Sequence, residues 1–98
     1  MAGTSSIKNR DDRGFNPFEE TSKILKFSDE AGRVGCDVFV VFVKDGFLNW
    51  TTGGVNKDDP GFIALINRTE FGIGLTTLQW RRLELKIASE LCKQRKEW

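Results

Sequence analysis

The stretch "VFVVFVKDGFLNW", Val38 to Trp50, limits most sharply what this chain can become. Its first six residues are all Val or Phe, side chains that favour a pleated, packed strand. Alternate side chains of a strand point to opposite faces. Phe39, Val41 and Val43 therefore take one face, and Val38, Val40 and Phe42 the other. A strand that is apolar on both faces needs cover on both. Asp45-Gly46 comes next, a pair suited to the left-handed positions of a two-residue hairpin turn. "FLNWTT" then returns as a second strand, with Phe47 and Trp50 on opposite faces.

Around this hairpin the pattern predicts a sheet with one long helix. "GGVNKDDPG" reads as a polar loop, "FIALINR" as a third strand and "FGIGL" as a fourth, with Gly72 and Gly74 leaving one face of it bare. The apolar cluster Ile24, Leu25 and Phe27 fits a short edge strand or one turn of helix, and is read as the strand. Residues 1–20 are polar, mixed in charge and without periodicity, and read as a tail. Within them Asn16-Pro17-Phe18 is either a simple turn or a tripeptide that some peptide-binding domains take. Residues 21–98 then form one domain. The expected class is α+β: a four- to five-stranded antiparallel sheet followed by one C-terminal helix, in a homodimer.

The helix carries the argument for a dimer. Thr76 or Thr77 caps it, and neither Gly nor Pro interrupts it as far as about Lys96. Trp80, Leu83, Ile87 and Leu91 form one apolar stripe, while Leu78, Leu85 and Cys92 recur every seventh residue on another. One stripe packs on the sheet. The second needs a partner, either a second copy of the chain or the segment around Ile24, Leu25 and Phe27 folding back. A chain of 98 residues buries only a little over ~60% of its unfolded surface, so self-association adds core without adding chain. The dimer and core residues are therefore Leu78, Trp80, Leu83, Leu85, Ile87 and Leu91.

Little in the sequence points to catalysis or metal. There is no His, the commonest general base and metal ligand. Cys36 and Cys92 stand far apart and do not make a zinc pattern. Asp58 and Asp59 precede Pro60 in a Gly-rich loop, where adjacent carboxylates form turns. Gly53-Gly54 lacks the Lys-Ser/Thr of a phosphate loop. No enzyme activity and no cofactor are expected. Two lone thiols and an N-terminus without an apolar leader point to a reducing, intracellular setting, nuclear or cytoplasmic. There the sequons at Asn49 and Asn67 are chance matches. The longest apolar run, six residues, is too short to cross a membrane.

What remains is a sheet rich in aromatics and an uneven charge. Residues 76–98 hold six basic and three acidic side chains, and residues 1–75 nine and eleven. Exposed aromatics stack on unpaired bases, at ~1–3 kcal/mol each. Phe47 and Trp50 are the stacking candidates, and Lys44, Lys57 and Arg68 the phosphate contacts, with Arg81 and Arg82 extending the path.

Gly72-Ile73-x-Leu75, three residues, then Gln79-Trp80-x-x-Leu83 resembles the strand-then-helix signature of the positive cofactor four family of transcriptional coactivators. The close match covers about 12 residues. The resemblance implies a β-β-β-β-α subunit, a homodimer and a sheet that binds single-stranded DNA in transcription, replication or repair. It also places Ile73, Leu75, Trp80 and Leu83 in the core. The closely spaced lysines that the family carries in its hairpin and second strand are missing, and Lys44 is the nearby cation. The expected partners are single-stranded DNA or RNA, a second copy, and proteins of the transcription or replication machinery. The alternative is a dimeric protein-interaction module without nucleic-acid binding.

Overall fold

A computed structural model of the chain describes residues 17–95. The tail reading of residues 1–16 and the Asn16 position of the tripeptide lie outside the described residues. The element order is α1 (Pro17–Arg33), β1 (Val38–Lys44), β2 (Phe47–Thr51), β3 (Phe62–Asn67), α2 (Arg68–Ile73) and α3 (Thr77–Arg95). The three strands form one antiparallel sheet in the order β2-β1-β3. The class is α+β as expected, but among the described residues there are three strands rather than four or five, with helices on both sides of them in sequence.

The hairpin forms as its turn chemistry dictates. Asp45 and Gly46 take φ of 55° and 81°, and Lys44 faces Phe47 across the two-residue turn. Phe39, Val41 and Val43 point into the core, as the alternation requires. On β3 the register against β1 slips by one residue between Val41 and Phe42. Ile63 is the extra residue of this bulge, and it is buried.

Two segments read as strands are helices. The first is the region of Ile24, which lies inside α1. A proline is preorganised for the first turn of a helix, and Glu19 and Glu20 follow it in that turn, where carboxylates oppose the helix dipole. Ile24, Phe27 and Ala31 recur at helical spacing and face the core. The helix ends in two bonds of Schellman type: the Cys36 N–H donates to the Ala31 carbonyl (2.9 Å) and the Gly35 N–H to that of Gly32 (3.1 Å). Residues 17–20, assigned to the tail by sequence, are thus the first turn of α1. The second segment is "FGIGL". Asn67 ends β3 and caps α2, its Oδ1 accepting from the Thr69 N–H (2.9 Å). Phe71 turns inward, whereas Ile73 is 83% exposed, against the core position the resemblance implied.

α3 begins as expected. The Gln79 N–H donates to Thr76 Oγ1 (3.2 Å), and the Thr76 N–H donates back to Gln79 Oε1 (2.8 Å), a reciprocal capping box. Ile87 and Leu91 are fully buried, and Trp80, Leu83 and Leu75 pack against the core. The Trp80 ring lies on Phe71 at 5.7 Å. α1 and α3 pack on each other and on the same face of the sheet. The N-terminal segment does fold back, but Leu78 and Leu85 remain exposed, each at 60%.

The far end of α3 is fastened to the hairpin. Gln94 Nε2 donates to the Val43 carbonyl (2.9 Å), and Gln94 Oε1 accepts from the Gly46 N–H (2.9 Å). Arg95 Nε donates to the Gly46 carbonyl (2.9 Å). Both helices therefore lie on one face of the sheet, and the opposite face carries no helix among the described residues.

Candidate nucleic-acid interface

The helix-free face is built from alternate residues of the three strands. β1 supplies Val38, Val40, Phe42 and Lys44, and β2 supplies Phe47, Asn49 and Thr51, each opposite a β1 residue of the same face. β3 adds Leu65. The loop from β2 to β3 joins parallel neighbours of β1, so it must pass β1 on the side the helices leave open. Thr51, Gly53, Val55, Asp59 and Pro60 accordingly border a groove with Phe42. The loop is braced by its own side chains: the Asn56 N–H donates to Asp59 Oδ2 (2.9 Å) and the Asp58 N–H to Asn56 Oδ1 (2.7 Å). The first bond gives the Asp59 carboxylate turn-forming work, and among the described residues no group of three potential ligands could hold a metal.

At the hairpin end four residues make a square. Phe42 faces Asn49, and Lys44 faces Phe47, so the two phenyl rings stand on the diagonal, about 7 Å apart at their Cβ atoms. Phe47 is 57% exposed, and Phe42 is half-buried. Together with Asp45 the four line a second groove, of about 400 Å³. The Arg95 guanidinium lies 5.7 Å from the centre of the Phe47 ring. Asn49 Nδ2 donates to the Phe47 carbonyl (2.9 Å), fixing the amide beside the ring.

The sequence-predicted site residues divide between the two sides of the molecule. Lys44 and Phe47 are in the square, and Lys57 stands exposed on the loop that crosses the same face. Trp50 is not there. It points to the helices, edge-on to Phe39 at 5.9 Å, and its indole N–H donates to Glu30 Oε1 (2.8 Å). Strand parity forces this, because Trp50 lies three positions after Phe47, an odd spacing. Arg68 is also withdrawn. Its Nε donates to the Ser28 carbonyl (2.8 Å), its Nη1 is 3.8 Å from Asp37 Oδ1, and its guanidinium occupies the space that a side chain at Gly32 would need. It clamps α1 to the end of β3. Arg68→Ala should cost about 1–3 kcal/mol by breaking a charged hydrogen bond, read as a lower urea midpoint with an unchanged slope. A loss below a few tenths of that would show the clamp to be idle. Arg81 pairs with Glu84 (3.9 Å) on α3, and Arg82 lines a groove beside α2 and β3, away from the square.

Sequence reasoning missed Phe42, Asn49 and Arg95. Phe42 and Asn49 were within reach of it. The Asp45-Gly46 turn sets the register, the register pairs Lys44 with Phe47, and stepping back two residues on each strand gives Phe42 and Asn49.

No protein family, curated protein or solved structure was found to match the chain. Among the described residues no helix is long and apolar enough to cross a membrane.

Proposed function

We propose that this chain binds single-stranded nucleic acid on the helix-free face of its sheet, with Phe42 and Phe47 stacking on bases and Lys44 and Lys57 meeting phosphates. The observation that supports it is the diagonal pair of rings around Lys44 and Asn49. Arg95 against Phe47 and the fixed Asn49 amide hold one corner in place, which lowers the ordering cost of binding. Asn49 adds an amide able to meet a base edge.

Electrostatics set the character of this binding. Asp45 borders the same groove as Lys44, and Asp58 and Asp59 directly follow Lys57 in the loop, so stacking carries more of the affinity than charge. A single-strand slope of ~0.7 per phosphate contact then gives a fall in log K of roughly 1.5 per decade of salt for two contacts. Fluorescence anisotropy of a labelled oligonucleotide at several salt concentrations measures it. A slope steeper than about −4 would mean a wider basic surface than this face offers.

A second reading rests on a different observation. Leu78 and Leu85 remain exposed, seven residues apart on one side of α3, and this favours a homodimer through that helix. The dimer would serve either nucleic-acid binding or the protein-interaction alternative. Leu78→Glu with Leu85→Glu should turn a sedimenting dimer into a folded monomer. A wild-type chain that is monomeric at high concentration would exclude the arrangement.

A further inference from the structure

We infer that the open edge of β3 takes an extended peptide as a fourth strand, and that this peptide carries acidic side chains where it meets Arg82 and Lys86. β3 is an edge strand in the order β2-β1-β3. Two bonds reveal which of its backbone groups are used. The Arg68 N–H donates to the Asp37 carbonyl (2.8 Å), and the Val43 N–H donates to that of Gly61 (2.8 Å). Hydrogen-bonded pairs alternate along an antiparallel ladder, so Phe39–Ile66 and Val41–Ala64 are the bonded ones. The N–H and C=O of Leu65 and the N–H of Asn67 then face away from β1.

Such an edge is a template for another strand unless something blunts it. The bulge at Ile63 guards only the start of β3. From Ala64 to Asn67 there is no proline and no charge, and no described strand pairs along the outer side. A groove of about 290 Å³ lies beside this stretch, where β3, α2 and α3 meet. Leu65, Phe71, Leu75 and Leu83 give it apolar walls, and Arg82 and Lys86 border it from α3. An added strand would turn every second side chain toward α2 and α3, where apolar ones meet Phe71, Leu75 and Leu83 and acidic ones meet Arg82 and Lys86, while its backbone pairs with Leu65, the mode of peptide recognition by strand addition.

Charge decides what kind of strand. Arg82 and Lys86 are one helical turn apart, and among the described residues neither makes an ion pair within 4.0 Å. Lys86 lies over the Phe62 ring at 5.0 Å. Among the described residues Glu70 is the one carboxylate on the lining, against Arg82 and Lys86, which leaves the groove net positive. A second copy pairing through its own β3 would bring "FIALIN", a strand without a carboxylate, and would leave both cations unanswered. An acidic peptide answers them.

The test is the full chain titrated into the fluorescein-labelled octapeptide Thr-Val-Thr-Glu-Thr-Val-Thr-Glu, whose Val and Glu share one strand face, read by anisotropy. Saturable binding is expected. It should weaken roughly tenfold or more in Arg82→Glu with Lys86→Glu, both exposed positions, with circular dichroism confirming the fold. N-methylation of alternate peptide nitrogens should weaken it by about as much, by removing the strand bonds. Equal binding of the same peptide with Lys in place of Glu, indifference to N-methylation, or no saturation at millimolar protein would each overturn the inference. A dimer that Leu65→Pro converts to monomer would overturn it too, since the edge would then belong to a second copy. None of these outcomes touches the Phe42–Phe47 square on the other side of the sheet.

Discussion

Gly61→Ala lowers the stability of this chain by about 2–6 kcal/mol, a large share of the roughly 5–15 kcal/mol usual for a domain. Two effects add. Gly61 has φ of 90°, a conformation L side chains rarely adopt. A Cβ there would also collide with the backbone carbonyl of Val43. That carbonyl accepts from Gln94 Nε2, while the Val43 N–H donates to Gly61 itself. The collision therefore loosens the β1–β3 ladder and the fastening of α3 to the hairpin together. Gly54 separates the two effects: its φ is 88°, but nothing lies within 4 Å of a Cβ built there. Gly54→Ala should cost only about 1–2 kcal/mol, the left-handed term alone. Urea unfolding of the two variants measures the difference, and equal losses would contradict the close packing of Gly61 against Val43.

The other large effect is on binding. Phe42→Ala with Phe47→Ala should weaken single-strand affinity by about 2 kcal/mol or more, roughly thirtyfold, at ~1–3 kcal/mol per stacked base. The rings are neighbours across the hairpin, so the single losses need not add. Phe47 is mostly exposed and its removal spares the core, though it also removes the Arg95 contact. Phe42 is half-buried, so the unfolding midpoint is measured alongside. Each single variant should lose part of the affinity, and a loss confined to Phe47→Ala would reduce the platform to one ring.

The hairpin, β3 and the cap of α3 were legible because local chemistry and tertiary packing agree there. Asp45-Gly46 has one comfortable conformation between apolar strands, and Thr76 with Gln79 satisfies the first N–H groups of a helix. α1 is less legible because Ile24, Leu25 and Phe27 by themselves make only a short cluster. Its extent of 17 residues shows only when Pro17, Ala31 and the Gly35 stop are read with them. In "FGIGL" the apparent alternation of Phe71, Ile73 and Leu75 outweighed Asn67 with Glu70 three residues later, a helix-start signal. Strand order placed the site. β3 lies on the far side of β1 from β2, which sends the loop bearing Lys57 across the helix-free face. Pairing order of this kind depends on contacts distant in sequence, and no local pattern encodes it.

The square of Phe42, Lys44, Phe47 and Asn49 is the centre of this account, and the most direct test compares three proteins on one labelled single strand at physiological salt. Wild type and Trp50→Phe should bind alike, since Trp50 faces Glu30 and the helices, and both should prefer the single strand to duplex. The Phe42→Ala, Phe47→Ala protein should bind about thirtyfold more weakly. If Trp50→Phe lost the affinity while the double variant kept it, or if wild type failed to bind the single strand at all, this face would not be a nucleic-acid platform.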